Sequence, residues 1–300
     1  MANQGHYGGQ EGGTRQGIYA CTPQGQFLGS LNSNDADKVI VMMQAAMEKW
    51  RQLPIAKQQL TDESAIEPRH RWEDSYPDDG LVLNVFTRDL PASGNHADLP
   101  ASRWNQDRVW FSASEVKGWL PDDLKVGSEY ELPIPLLHRL VKRHLVDTVN
   151  GQTTSFQKDE ISPETKIIVS IQELDANTAR ISFRGNTFAL SNRVSNSTSV
   201  HSVKTKILGH AVFSRSKSKF TKFELVAIGE RRGRTTFNGR RKSPTKNDFG
   251  FAFQMAGSNE PRIPPAFVSS YEADWILRPS GLLDALFAPN TVFQLSLIHI

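Results

Sequence analysis

Hydrophobic positions recur along this chain with two different periods, and the change of period divides it. Val39, Met42, Met43, Ala46, Met47 and Trp50 follow one another at three and four residues. That spacing predicts an amphipathic helix with one apolar stripe facing a core, capped by Asn34 or Asp35 and ended by Pro54. Ahead of it, Ile18, Tyr19 and Ala20 run into the turn TPQG, and Phe27 and Leu28 leave it. Pro23 presets such a turn and Gly25 accepts positive φ, so a hairpin is expected. Further on, LVLNVF predicts a strand, and RVWFSASEVKGWLP predicts a short strand and then a brief helix closed by Pro121. Ser112 and Glu115 there have capping-box spacing, and Trp110 and Trp119 read as core anchors. A second apolar stripe, Leu136, Leu137, Leu140, Val141 and Leu145, follows Pro135, which suits a first helical turn.

From residue 165 the period becomes two. Ile167, Val169 and Ile171 share one face, DANT turns the chain, and Ile181 and Phe183 alternate with Ser182 and Arg184 on the return. KILGHAVF and FTKFELVAIG make another hairpin across SRSKSK, with Phe223, Leu225 and Ala227 on one side. FGFAFQM adds a strand with Phe249, Phe251, Phe253 and Met255 aligned. Alternating strands at this spacing predict an antiparallel sheet curled into a barrel or sandwich, covered by the 135–145 helix. The fold class expected is α+β. Residues 54–80, with Pro68, Pro77 and Gly80, read as a linker in front of a β-rich domain over 81–294.

The opening stretch QGHYGG…TRQGIYACTPQGQFLGSLNSND, with the helix after it, resembles the last three elements of a thioredoxin-like domain. It is similar to uncharacterised bacterial proteins in which such a domain precedes a further C-terminal region. The resemblance covers residues 16–53 and implies that 1–53 is the tail of a truncated thioredoxin-like segment. In that family the redox CxxC lies in the earlier half, and Gly17 stands near the place of its cis-proline, so the resemblance implies fold rather than disulfide chemistry. At the other end LSLIHI, residues 295–300, resembles the translation of a sequencing adapter and reads as an artefact, so His299 is not counted as a ligand.

Three hundred residues, 38% hydrophobic and 22% charged, are enough for a buried core. No run approaches a membrane span, and no apolar leader opens the chain. Read literally the protein is cytoplasmic; an exported protein is expected if the native start is missing. Cys21 is the one cysteine, so an intrachain disulfide, a CxxC and a cysteine-based metal cluster are excluded.

Charge changes the picture more. Between Lys204 and Lys246 thirteen Lys and Arg face Glu224 and Glu230, a local +11 in a chain of net +3, which leaves about −8 elsewhere. Lys217, Lys219, Arg231, Arg232, Arg234, Arg240, Arg241 and Lys242 fall in turns or after strand ends and are expected to gather along one rim. With Phe220 and Phe237 interleaved, such a rim would attract nucleic acid, acidic polysaccharide or anionic lipid. Basic turns that protect β-edges are the plainer reading.

Catalytic chemistry has weaker signals. His144 lies near the apolar stripe, and Asp147 would orient its imidazole for acid–base work. His210 shares a strand face with Leu208 and Val212, where a buried ring needs a partner. His138 and His144, six apart, do not make a helix-face metal pair. Asp78 and Asp79, beside Pro77 and Gly80, read as a solvated turn. A P-loop, a Rossmann fingerprint, GxSxG and HExxH are missing from the sequence, and no cofactor is implied. Three classes are left, in this order: a non-enzymatic β-domain for binding or scaffolding, a polyanion-binding module, and an enzyme using His144, Asp147 and His210.

Overall fold

The structure, a computed structural model, describes residues 17–59, 72–91, 104–150, 153–192 and 200–277, apart from 25, 34, 122, 236, 237, 239 and 241–244. The described residues belong to two compact units, 17–59 and 72–277. Residues 295–300 lie outside them.

In the smaller unit β1 (Ile18–Cys21) and β2 (Phe27–Leu31) pair antiparallel with a register shift after Ala20. Helix α1 (Ala36–Arg51) starts at Asp35, whose carboxylate accepts from the Asp37 and Lys38 amides and so satisfies two orphan N–H groups. Its packing is narrower than the predicted stripe. Met42, Ala46 and Trp50 meet Ala20 and Leu28, while Ile40, Val41, Met43 and Met47 stand exposed. Two strands cover about one side of a helix, and the stripe is wider than that.

The span 54–80 carries structure at both ends: α2 (Ile55–Gln58) follows Pro54, and a 3₁₀ turn, Trp72–Ser75, belongs to the larger unit. That unit is built on one sheet of eight antiparallel strands. They are β3 (Leu81–Asp89), β4 (Trp104–Phe111), β5 (Glu129–Glu131), β6 (Lys166–Leu174), β7 (Thr178–Ser191), β8 (His201–Ser214), β9 (Lys219–Arg232) and β10 (Lys246–Met255). Strands β5 to β10 form a meander, and β3 and β4 continue it beyond β10, giving the order β4-β3-β10-β9-β8-β7-β6-β5. The protein is thus α+β and mostly β.

Alternation dictates the inner face. Ile167, Val169 and Ile171, then Ile181 and Phe183, Ile207 and Ala211, Phe223, Leu225 and Ala227, and Phe249, Phe251 and Phe253 are all buried in one core. The long strands bend where a side chain is missing on that face. A Cβ on Gly185 would lie 2.2 Å from the Lys166 carbonyl oxygen and one on Gly229 1.9 Å from that of Lys204, so only glycine lets the neighbouring backbones approach and the sheet coil. Helices α3 (Ala113–Lys117) and α4 (Ile134–Arg139) fill the concave side. Ser112 and Glu115 make the predicted capping box. Trp119 packs edge-on against Phe111, Phe183 and Phe223 at 5.2–5.6 Å.

The predicted closed barrel or sandwich is corrected to a single open sheet, in which β4 and β5 are the edges. The outward edge of β4 is satisfied by other groups. Arg139 donates to the Trp110 carbonyl and Tyr271 Oη accepts from the Trp110 amide. Side chains from the helical segment and from residues 256–277 therefore take the place of a pairing strand.

Candidate functional site

The helix that carries His144 does not run straight to it. After α4 the backbone widens into a π turn, Leu140–His144, closed by Leu145 N–H donating to the Leu140 carbonyl. This turn brings Lys142, Arg143 and His144 inward, and all three are buried, as is Arg139 at the end of α4. His144 is sealed, with a side-chain exposure of 0%. Its Nδ1 lies 3.3 Å from Asp107 Oδ2 and its Nε2 2.8 Å from Tyr271 Oη. Asp107 Oδ1 accepts from the Ala266 amide. Burial lowers the His144 pKa, while the hydrogen bond of Asp107 pulls the other way. Burial likewise raises the Tyr271 hydroxyl pKa well beyond its ordinary value. Both rings therefore stay neutral near pH 7, as a satisfied interior requires.

Asp147 has other partners. Arg240 Nη2 and Nε donate to its two oxygens at 2.6 and 2.8 Å, and Asn238 donates at 3.2 Å. The same guanidinium holds both oxygens of Asp89, at 2.6 and 3.0 Å. Arg231 Nε lies 3.7 Å from Asp89 and 3.9 Å from Asp147. The result is a buried quartet of two guanidiniums and two carboxylates. Burial alone would lower the Arg240 pKa, but the hydrogen bonds of Asp147 and Asp89 hold it above its ordinary value. Burial and the neighbouring Arg240 lower that of Arg231. A cavity of about 10 Å³ beside Asp147, Arg231 and Asn238 has room for a water.

The expected acid–base pair is thus not assembled: His144 is oriented by Asp107, and Asp147 by Arg240. His210, expected in a buried setting, is 57% exposed on the convex face, with Nε2 2.9 Å from Glu224. Among the described residues no cluster of His, Cys, Asp and Glu is arranged to hold a metal.

The basic rim is also corrected. Arg231 and Arg240 are core residues, and Phe220 is buried rather than offered for stacking. Arg231 and Arg232 lie within β9, not after it. Lys217 and Lys219 sit at the opposite end of that strand from Arg232 and Arg234, about 40 Å away at the ~3.3 Å rise of an extended residue. Arg232 is tied to Glu230. Arg241, Lys242 and Phe237 lie outside the described residues.

One basic group does converge. At the β8–β9 turn, Lys217, Ser218 and Lys219 meet Lys117 and Ala113 of α3 and Asp79 of the turn before β3, around a cleft of about 520 Å³. Ser218 has φ of 51°, the one positive value at a non-glycine position among the described residues. It bends the turn so that Lys217 and Lys219 both line the cleft. None of the three lysines is in ion-pair contact with a described carboxylate. Lys117 escaped sequence reasoning because it is an ordinary polar residue locally, and Asp79 read only as part of a solvated turn; only the fold brings them to the hairpin tip.

Comparison with protein-family models, with curated proteins and with solved structures gives no match.

Proposed function

We propose that the larger unit is a binding module for an anionic ligand, which it holds in the cleft of Lys117, Lys217 and Lys219. The single observation behind this reading is that cleft, which three lysines line together with one acidic residue, Asp79. The candidate catalytic groups favour binding over catalysis by their placement, since His144 and Asp147 are committed to interior partners. The ligand is compact rather than a long polymer, because the described basic residues from 204 to 246 form no continuous track. Some are buried, and others lie at the far end of β9.

Tripolyphosphate titrated by calorimetry at low salt tests the reading. The wild-type protein is expected to bind with an affinity that falls as salt rises. The variant Lys117→Ala/Lys217→Ala/Lys219→Ala is expected to lose that binding, whereas Arg232→Ala/Arg234→Ala keeps it. No heat with the wild-type protein, or equal loss in both variants, sinks the proposal.

For the smaller unit the thioredoxin-like reading stands as part of the same proposal. It is supported by a hairpin whose helix packs one side and leaves Ile40, Met43 and Met47 exposed, as a helix would that had a wider sheet to cover. Residues 1–60 alone are then expected to lack a cooperative unfolding transition by circular dichroism. A sharp transition would overturn it.

A further inference from the structure

The convex face of the large sheet carries an apolar band that crosses five strands. In one row Leu208 stands opposite Val226, Val226 opposite Ala252, and Ala252 opposite Phe86. In the next, Lys206 stands opposite Ile228, Ile228 opposite Gly250, Gly250 opposite Arg88, and Arg88 opposite Trp104. Leu208 is 64% exposed, Ile228 54%, Trp104 49% and Val226 43%. Outward positions of an antiparallel sheet are ordinarily polar, and a contiguous apolar patch marks a surface that is covered in use.

Charge indicates what covers it. Arg88 and Lys206 lie within the band and Lys204 one row beyond, all exposed and none in ion-pair contact with a described carboxylate. The carboxylates nearby are mostly engaged: Glu224 with His210 and Lys222, and Glu230 with Arg232 and Lys246. Asp248 is the exposed exception, opposite Glu230. Neither of the two cavities described above lies on this face. A protein partner usually seats an aromatic or arginine anchor in a desolvated pocket, and neither of those cavities is placed to receive one here. A lipid interface needs no pocket. It takes up exposed aliphatic groups, a tryptophan at the margin, and lysine and arginine side chains whose stems lie along apolar surface.

We propose that this band, Leu208, Val226, Ile228 and Trp104 with Arg88 and Lys206, docks the protein onto a membrane surface rich in anionic lipid. The proposal does not rest on the lysine cleft, and the two are separated by the same experiment.

Sedimentation with vesicles of equal parts phosphatidylcholine and phosphatidylserine, and tryptophan emission read alongside it, provide the test. The wild-type protein is expected to sediment with these vesicles and not with phosphatidylcholine alone, with a blue shift that Trp104→Phe removes. Val226→Asp/Ile228→Asp is expected to weaken sedimentation more than tenfold and to leave tripolyphosphate binding unchanged. Arg88→Ala and Lys206→Ala, which leave the apolar residues in place, are each expected to cost about fivefold. Lys117→Ala/Lys217→Ala/Lys219→Ala is expected to sediment as wild type does. The proposal is overturned if the wild-type protein stays in solution, if it sediments without a Trp104 shift, or if the lysine-cleft variant alone loses binding. Failure to sediment would return the face to an acidic protein partner.

Discussion

Arg240→Met removes the guanidinium that joins Asp89 and Asp147. Four hydrogen bonds at 2.6–3.0 Å go with it, and Arg231, whose Nε is 3.7 and 3.9 Å from the same two carboxylates, is left as the nearby cation. The quartet then holds two buried negative charges against one positive. Breaking a buried pair from one side costs about 3–5 kcal/mol, because the remaining charge is left under-compensated and away from bulk water. A domain has a total stability of roughly 5–15 kcal/mol, so this is a large share of it. At roughly 2–4 °C per kcal/mol for a chain of this size, the midpoint of thermal unfolding should fall by about 6–20 °C. Urea denaturation is the cleaner assay, since a lower midpoint at unchanged slope isolates stability from changes in the exposed surface. Arg232→Ala, an exposed change one residue from Arg231, is the control and should stay within about 0.5 kcal/mol. A loss below about 1 kcal/mol for Arg240→Met would show that the carboxylates find water or protonate without penalty, and the buried-quartet reasoning would be wrong.

Three further outcomes follow from the same geometry. The His144 pKa is lowered in the folded state, so between that value and the ordinary ~6.5 the unfolded chain binds more protons. Stability should therefore fall with pH below about 6.5, by up to ~1.4 kcal/mol per unit for this group, and the fall should persist in His138→Gln and flatten in His144→Gln when urea midpoints are compared. Ser112→Ala opens the capping box on α3 and should cost about 1 kcal/mol in the same assay, with little change in far-ultraviolet circular dichroism. Gly229→Ala places a methyl group against the Lys204 carbonyl and should destabilise by more than the 0.4–1 kcal/mol that alanine ordinarily gains over glycine in the unfolded chain, about 2 kcal/mol or more in net loss; a neutral result would mean the strands can part there.

Every strand of the meander from β6 to β10 was legible because its signal is local. Ile167, Val169 and Ile171, or Phe249, Phe251 and Phe253, declare an inward face within a few residues, and the structure buries them all. The capping box and α4 were legible for the same reason. The polar interior was not. Asp89 and Arg240 are 151 residues apart, and Tyr271 and His144 127 apart, so no window of sequence contains the pair. Asp147 was near enough to His144 to suggest a partnership, but the π turn and the two guanidiniums drew them into separate clusters. Arg231 is a different case, since it continues the register of Leu225 and Ala227. Alternation already pointed it inward, and ending the strand at 229 turned a core residue into a supposed surface cation.

His210 was misread by the residues that make the convex face unusual. Leu208 and Val212 are apolar, and apolar neighbours in alternation are ordinarily the mark of a buried face, so the histidine between them was assigned to the interior. Its strand has apolar residues on both sides, however. Ile207, Ala211 and Phe213 fill the core, and Leu208 faces outward. A strand apolar on both faces reads as buried on both faces, the usual state of a central strand in a layered fold. In this sheet α3 and α4 lie on the concave side, and on the convex side residues 72–76 and 256–277 cover only the end that carries Val82 and Trp110. The pattern in β8 and β9 therefore implies a covering over the convex side of these two strands that the described part of the chain does not provide, and that deficit argues for docking as strongly as the exposures do.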